Sequence, residues 1–144
     1  MASELHLRIV TPDRVIVDRK VRSVRFAGVD GSYGILPKHA PLMTAIGQAG
    51  DVQVTEGDGS RTAIFVSDGF AQVQDNVLTL TCEAGELAQE IDLQRVKDAE
   101  AKARQKLAHL DRLSEDYLRA EASLRKALAR EMMARRTSGS GDMR

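Results

Sequence analysis

Apolar and polar residues alternate with a period of two from Leu5 to Cys82 and with a helical period from Asp92 onward, so the chain reads as a β half followed by an α half. Leu5, Leu7 and Ile9 alternate with His6 and Arg8, which predicts a half-buried strand closed by Thr11-Pro12-Asp13. Val15 to Val17 predicts a short strand. Val21 to Ala27 predicts another, with Val24 and Phe26 on one face and Arg25 on the other. Further strands are expected over residues 42–46, 52–55, 61–66, 70–74 and 77–82. Breaks at Gly47-Gln48-Ala49-Gly50, the hairpin-like Gly57-Asp58-Gly59-Ser60, and turns at Asp68-Gly69 and Asp75-Asn76 separate them. Short strands rich in β-branched residues and punctuated by glycine turns predict an antiparallel sandwich or barrel.

The pattern changes at Gly85. From Glu86 to Ser138 there is no glycine or proline, and Ala, Leu, Glu, Lys, Arg and Gln dominate, which predicts helix. Asp92 is a good N-cap, flanked by Ile91 and Val96 at the positions of a hydrophobic staple. Val96, Ala103 and Leu110 recur at sevens, with Ala99 and Leu107 beside them, giving a narrow apolar seam. Ser114 can cap a second helix, Glu115 and Asp116 suit its positive end, and Leu113 with Leu118 makes a second staple. Tyr117, Leu124, Leu128 and Met132 are the second seam. The expected fold is an N-terminal antiparallel β-sandwich over residues 1–86, followed by a two-helix antiparallel hairpin over 87–136 and a disordered tail over 137–144. Because the seams are alanine-rich, closing the hairpin buries little apolar area, and its closure is expected to be marginal.

One stretch stands apart from both patterns. Gly28 to Thr44 holds three of the eleven glycines and two of the three prolines. Gly28, Gly31 and Gly34 permit tight bends, whereas Pro37 and Pro41 stiffen the backbone and push Leu36 and Ala40 towards extended conformations. Tyr33, Ile35, Leu36, Leu42, Met43 and Ile46 are expected to anchor its ends in a core. It reads as a loop built to present a surface.

Composition narrows the function. Hydrophobic residues make up 42% of 144, enough for a core, and 21 basic residues balance 21 acidic ones, which argues against general nucleic-acid binding. Residues 1–88 carry 8 Lys/Arg against 11 Asp/Glu, leaving 13 against 10 in residues 89–144, so the second part is mildly basic. A single cysteine, Cys82, excludes an internal disulfide and fits a reducing compartment. No apolar run is long enough to span a membrane, and no signal or transit character precedes Leu5.

No catalytic or metal-ligating constellation is legible. His6, His39 and His109 fall on a strand, a loop and a helix end without ligand spacing. The glycine stretch lacks the Lys-Ser/Thr ending of a phosphate loop, and Ser67-Asp68-Gly69 is not a nucleophile elbow. His39 reads as a loop histidine bonded to nearby backbone or as a contact at a subunit surface. From Arg119 to Arg136 the second helix carries six basic residues, Arg119, Arg125, Lys126, Arg130, Arg135 and Arg136, against Glu121 and Glu131. They form either a solvated helix face or a basic arm for an acidic surface.

The run Gly31-x-x-Gly34-Ile35-Leu36-Pro37-x-His39-Ala40-Pro41-Leu42 closely resembles the hallmark of the epsilon subunit of the rotary F-type ATP synthase. The likeness continues at Val66-Ser67-Asp68-Gly69-Phe70-Ala71-Gln72-Val73 and at Ile91-Asp92-Leu93-Gln94-Arg95, in family order and over nearly the whole chain. The resemblance implies a non-catalytic central-stalk subunit that couples proton translocation to ATP synthesis and restrains ATP hydrolysis through its helices. It implies the gamma subunit and the membrane c-subunit ring as partners, with the alpha and beta catalytic subunits added when the helices extend. The place implied is the cytoplasmic face of a bacterial plasma membrane, without insertion into it.

Gly28, Gly31, Ser32, Gly34, Pro37, His39 and Pro41 would form the interface loop, with Ser32 where many relatives carry an acidic residue. No cofactor is required, but some bacterial members bind regulatory ATP. Their pattern falls here on Glu86, Ile91, Asp92, Arg95 and Arg130, with Val96 in place of Ala and with Lys102 and Lys126 in place of Arg. The rival readings are a stand-alone β-sandwich binding module with a helical dimerisation tail and a small nucleotide-sensing protein. Co-purification with a gamma subunit and a membrane ring separates the first reading from both.

Overall fold

In a computed structural model of the chain, residues 3–47 and 50–141 are described, with side chains through 136. The chain divides into two compact units, 1–87 and 88–144. The first holds eight strands: β1 (Leu5–Val10), β2 (Val15–Val21), β3 (Ser23–Gly28), β4 (Gly31–Ile35), β5 (Leu42–Ile46), β6 (Gly50–Thr55), β7 (Arg61–Gln74) and β8 (Val77–Leu87). They pair in the order β2-β1-β8-β7-β6-β3-β4, with β5 also on β7. All pairs are antiparallel except β1 with β8.

The two layers of this sandwich share β7. Its first half, from Arg61 to Val66, pairs with β6, and its second half, from Gly69 to Val73, pairs with β5. The expected turn at Asp68-Gly69 is instead a point inside a continuous strand. Asp68 takes a positive φ of 51° and donates its N–H to the Gly47 carbonyl at 2.8 Å. A Cβ on Gly69 would lie 1.9 Å from the Thr81 carbonyl oxygen. Only glycine lets β7 run this close to its ladder partner β8. The strand thus changes layers without ending.

Two other expectations shift for related reasons. Val15–Val17 is the start of a seven-residue strand, because edge pairing with β1 carries it to Val21. The last strand continues beyond Cys82 and through Gly85 to Leu87, paired with the first half of β7. Of the break expected at 47–50, Gln48 and Ala49 lie outside the described residues, and Gly50 already belongs to β6.

Alternation delivers the core. Leu5, Leu7 and Ile9, Val24 and Phe26, Val52 and Val54, and Leu78 and Leu80 are all buried on inward faces, joined by Ile35, Ile46, Ile64, Val66, Ala71 and Val73. Cys82 lies in the same cluster, and burial pushes its thiol up to about 11.

The second unit opens with a 3-10 turn, Ala88–Glu90, followed by α1 (Leu93–His109) and α2 (Glu115–Gly141). The helices pack on each other across a short connection, which makes them an antiparallel hairpin. Asp92 caps α1, its Oδ1 accepting from the Gln94 and Arg95 N–H groups at 2.9 and 3.3 Å. Ser114 caps α2, its Oγ accepting from Tyr117 N–H at 3.1 Å. Ile91 and Val96 are both buried, as a staple requires, whereas Leu113 and Leu118 are exposed and form none. The tail expected to be disordered from Thr137 is helical through Gly141. No proline interrupts it, and extending an established helix needs no new nucleation. Residues 142–144 lie outside the described residues.

Candidate functional site

The glycine and proline stretch is more ordered than a loop. Gly31 to Ile35 is strand β4, paired with β3 so that Gly28 faces Gly31, Phe26 faces Tyr33 and Val24 faces Ile35. The Phe26 and Tyr33 rings stack with centroids 5.4 Å apart. The Tyr33 hydroxyl donates to the Asp30 carboxylate at 2.9 Å, which ties the Val29-Asp30 turn to the strand. The Val29 N–H donates to the Ala45 carbonyl at 3.0 Å, joining that turn to β5. Gly31 has a φ of 140°, so this position does need glycine. Gly34 does not: its φ is not in the positive region, and the space where a Cβ would stand is open. Arg25 Nε donates to the exposed Ser32 Oγ at 3.3 Å.

Beyond β4 the backbone turns through Pro37 to Pro41. Lys38 takes a φ of 65°, unusual for a residue with a long side chain. Asn76 holds it there. The Asn76 Oδ1 accepts from the Lys38 N–H and its Nδ2 donates to the Glu4 carbonyl, both at 2.8 Å, while its own carbonyl accepts from the His6 N–H at 3.1 Å. One side chain thus stitches together the presenting turn, the β7–β8 turn and the start of β1. Sequence reasoning treated Asn76 only as a turn residue. The Asp75-Asn76 pair marks the turn in the sequence, and only the fold shows that both take positive φ.

His39 Nδ1 donates to the Ala40 carbonyl at 2.7 Å, and the His39 N–H donates to the Leu36 carbonyl at 3.2 Å, so the histidine braces its own turn. Of the expected anchors, Ile35 and Ile46 are buried and Tyr33 and Leu42 pack partly against the core. Leu36 and Met43 are instead 63% and 66% exposed, and Val29 joins them at 66%. Strand alternation turns Met43 outward once Leu42 points in. The stretch therefore presents apolar side chains on a braced backbone.

In the second unit, α1 buries Val96 and Ala103, with Leu107 and Leu110 half-buried and Ala99 exposed. On α2 the buried residues are Ala120, Ala127, Met133 and Ala134, while Tyr117, Leu124 and Leu128 are half-buried and Met132 is 64% exposed. The expected seam followed the largest side chains and missed the helix phase. Steps of four from Leu124 to Leu128 to Met132 each rotate by about 40° off one face. Alternating steps of three and four, through Tyr117, Ala120, Leu124, Ala127 and Ala134, stay on it. The basic face of α2 is partly paired within the helix. Arg119 faces Glu115 and Asp116 at 3.6 and 3.7 Å, and Arg125 with Glu121 and Arg135 with Glu131 meet at 2.8 Å.

The residues of the nucleotide pattern divide between the units. Glu86 belongs to β8 and pairs with Phe65 in the sandwich. Ile91, Asp92 and Arg95 sit at the head of α1 and Lys126 and Arg130 on α2. Ile91 is buried, the Asp92 carboxylate is engaged in capping, Arg95 and Lys102 are exposed, and Lys126 and Arg130 are half-buried. Among the described residues no group of three or more His, Cys, Asp or Glu is arranged to hold a metal ion.

The sequence model of the ATP synthase delta/epsilon chain β-sandwich domain matches residues 4–88. An ATP synthase epsilon chain of Nitratidesulfovibrio vulgaris is 39% identical over 130 residues, covering 90% of this chain and 95% of that one. The chain belongs to the ATP synthase epsilon-chain family. An epsilon chain of Clostridium kluyveri is 38% identical with 90% of this chain and 96% of that one covered. One solved structure, the Euglena gracilis mitochondrial ATP synthase OSCP/F1/c-ring assembly, contains a chain of like fold. It has a TM-score of 0.77 and 21% identity over 90% of this chain and 80% of that one. A chain of the Tetrahymena thermophila central stalk and c ring aligns with a TM-score of 0.61 and 14% identity, over 90% and 97%. Family membership makes this epsilon chain a non-catalytic subunit of the ATP synthase complex. No helix among its described residues is long and apolar enough to cross a membrane.

Proposed function

We propose that this epsilon chain is a rotor subunit of a bacterial F-type ATP synthase. Its sandwich sits against the gamma subunit and the membrane c ring, and its hairpin restrains ATP hydrolysis. The observation that carries the reading is the extent of the match, 90% of the chain, which takes in both units. The presenting stretch supports a role at a stiff junction. Its exposed Val29, Leu36 and Met43 offer apolar contact, and Asn76, the Tyr33–Asp30 bond and two prolines restrict the backbone that carries them. Rotation driven by proton flow reaches the catalytic head only through a junction that does not give under torque. The place for such a subunit is the cytoplasmic face of the plasma membrane, peripheral to it.

The hairpin suits a brake because its seam is mostly alanine and its connection, residues 110–114, contains no glycine or proline. Straightening sacrifices little apolar burial, and contacts with the alpha and beta subunits offset it by ~1–3 kcal/mol. A pull-down from detergent-solubilised membranes tests the rotor reading: gamma and the ring must accompany the chain, and their absence refutes it. Removing residues 114–144 tests the brake, with faster hydrolysis and unimpaired synthesis expected from the assembled enzyme. Reversing Arg125, Lys126 and Arg130 to Glu is expected to mimic part of that effect, and high salt to weaken inhibition. Unchanged hydrolysis in both variants leaves the hairpin a passive strut.

Regulatory ATP is a further part of this reading. The exposed Arg95 one turn into α1, with Lys126 and Arg130 on α2, supplies cationic groups for a triphosphate. Asp92 orders the helix start that carries Arg95. Binding to the compact hairpin would favour it over the extended form. Calorimetric titration of ATP into the full chain and its Arg95→Ala variant decides this: equal heats from both remove the site.

A further inference from the structure

Lys38 occupies a place that its own chemistry disfavours. The Leu36 carbonyl accepts from the His39 N–H at 3.2 Å, closing a four-residue turn with Pro37 second and Lys38 third. Proline presets the second position, but a positive φ at the third, here 65°, belongs to glycine or asparagine. For a residue with a Cβ that conformation is costly, and the lysine side chain offers the turn no local hydrogen bond to offset it.

The turn's own bond leaves the Lys38 N–H unused, and Asn76 engages it from outside. Its Oδ1 accepts from that N–H at 2.8 Å while its Nδ2 donates to the Glu4 carbonyl at 2.8 Å. Asn76 is itself fixed. It stands in the two-residue turn between Gln74 and Val77, with a φ of 65°, and its carbonyl accepts from the His6 N–H at 3.1 Å. From there β1 and β8 run side by side into the buried Leu7 and Leu78, which are partners in register. The bonds of His39, by contrast, run to Leu36 and Ala40 and move with the turn. The clamp needs a side chain that accepts and donates at once, on a residue that tolerates positive φ, and asparagine meets all three conditions.

We propose that Asn76 is a positioning residue for rotor docking: through the Lys38 backbone it holds the turn from Leu36 to His39 in the conformation that the gamma subunit binds. This deepens the rotor reading above and rests on it for the identity of the partner. The sandwich core does not draw on the tip of the turn, since Leu36, Lys38 and Ala40 are exposed, Leu36 at 63%. What the restraint orders is the exposed surface, and a surface ordered beforehand loses less conformational freedom on docking. Released from Asn76, the turn spends only part of its time in the docking conformation, and the apparent affinity falls by that fraction.

Asn76→Gly removes the two side-chain bonds and keeps both the positive φ and the carbonyl that His6 uses. Binding of the full chain to the gamma-containing catalytic head, purified free of epsilon, is measured at a temperature where circular dichroism shows every variant folded. The dissociation constant of N76G is expected to rise about tenfold, the scale on which a residue with a Cβ disfavours left-handed backbone. The deciding variant is K38G/N76G. Glycine adopts positive φ readily, so this double variant should recover to within about threefold of wild type although the clamp is absent. K38G alone should stay within about twofold, since Asn76 still accepts from its backbone. Amide exchange at residue 38 should quicken in N76G while that of Leu7 and Leu78 is unchanged. A merely structural role predicts the same deficit in N76G and in the double variant, and that result overturns the proposal. Wild-type affinity in N76G overturns it as well, including the case in which only binding to the isolated c ring is lost. A K38G deficit as large as that of N76G also does so, because it would make the lysine side chain the contact. A wild-type chain that does not bind the head refutes the rotor reading and the docking role together, whereas the other failures leave the rotor reading standing.

Discussion

The sandwich and the hairpin are held together by different means. In the sandwich, alternating Val, Leu and Ile from eight strands converge on one core, and glycine appears where two backbones must nearly touch, as at Gly69 against Thr81. In the hairpin, buried positions are mostly alanine, and the large Leu118 and Met132 face outward. Burial at ~25 cal/mol per Å² favours the first strongly and the second weakly. A unit proposed to transmit torque has a core that cannot be rearranged without loss. A unit proposed to change shape has an interface whose opening forfeits little apolar burial. The presenting stretch belongs with the sandwich, because its bends are tied by specific hydrogen bonds from Asn76 and Tyr33.

The largest effect that would break this contrast is expected at Gly69. Gly69→Ala places a Cβ against a backbone carbonyl that cannot move without the strand pair, so a loss of about 4 kcal/mol or more is expected. Urea unfolding of the full chain measures it; a mild loss would mean that β7 and β8 are free to separate. Next, Leu80→Ala in the core should cost about 2–5 kcal/mol, whereas Leu124→Ala in the hairpin should cost only about 1 kcal/mol. Equal losses in the two variants would put the hairpin seam on the same footing as the core.

A third test reads the pH response of the sandwich. The buried Cys82 thiol titrates at about 11 rather than 9.0, chiefly through desolvation. A value raised by folding means stability that is complete below 9.0 and declines as pH rises towards about 11. The sandwich of the wild type should therefore weaken more than that of Cys82→Val over this alkaline span in thermal unfolding. Parallel pH profiles for the two proteins would show that the thiol is not desolvated.

Smaller effects sharpen the picture. Asp92→Ala removes the α1 cap and should cost about 1 kcal/mol. The loss should appear as faster hydrogen exchange confined to the second unit. Lys38→Gly relieves a left-handed backbone and should stabilise the sandwich by about 0.5–1 kcal/mol, provided that Asn76 still accepts from the N–H. Destabilisation would mean that the lysine side chain, rather than Asn76, holds the turn.

The strands were legible because period-two alternation is a local signal, and Leu5 to Ile9 needs no knowledge of its partners to be read as half-buried. The helix caps at Asp92 and Ser114 were legible for the same reason: each cap bonds within three residues. The hairpin phase was less so. Met132 and Met133 are equally apolar, and α2 packs on the 3-10 turn as well as on α1, so its buried surface is wider than one seam.

By itself the sequence determined the order of elements, the β-to-α change, the inward face of most strands and the caps, together with a family signature in Gly31–Leu42 and its two sequels. Only the tertiary structure decided that β4 lies inside the presenting stretch, that β7 passes through Asp68-Gly69 unbroken, that Asn76 holds Lys38, and that Met133 rather than Met132 is buried in the hairpin. The physical reason is range. Periodicity, capping and turn chemistry depend on groups a few residues apart, whereas a close backbone approach and a clamp from residue 76 to residue 38 exist only once distant segments are brought into contact.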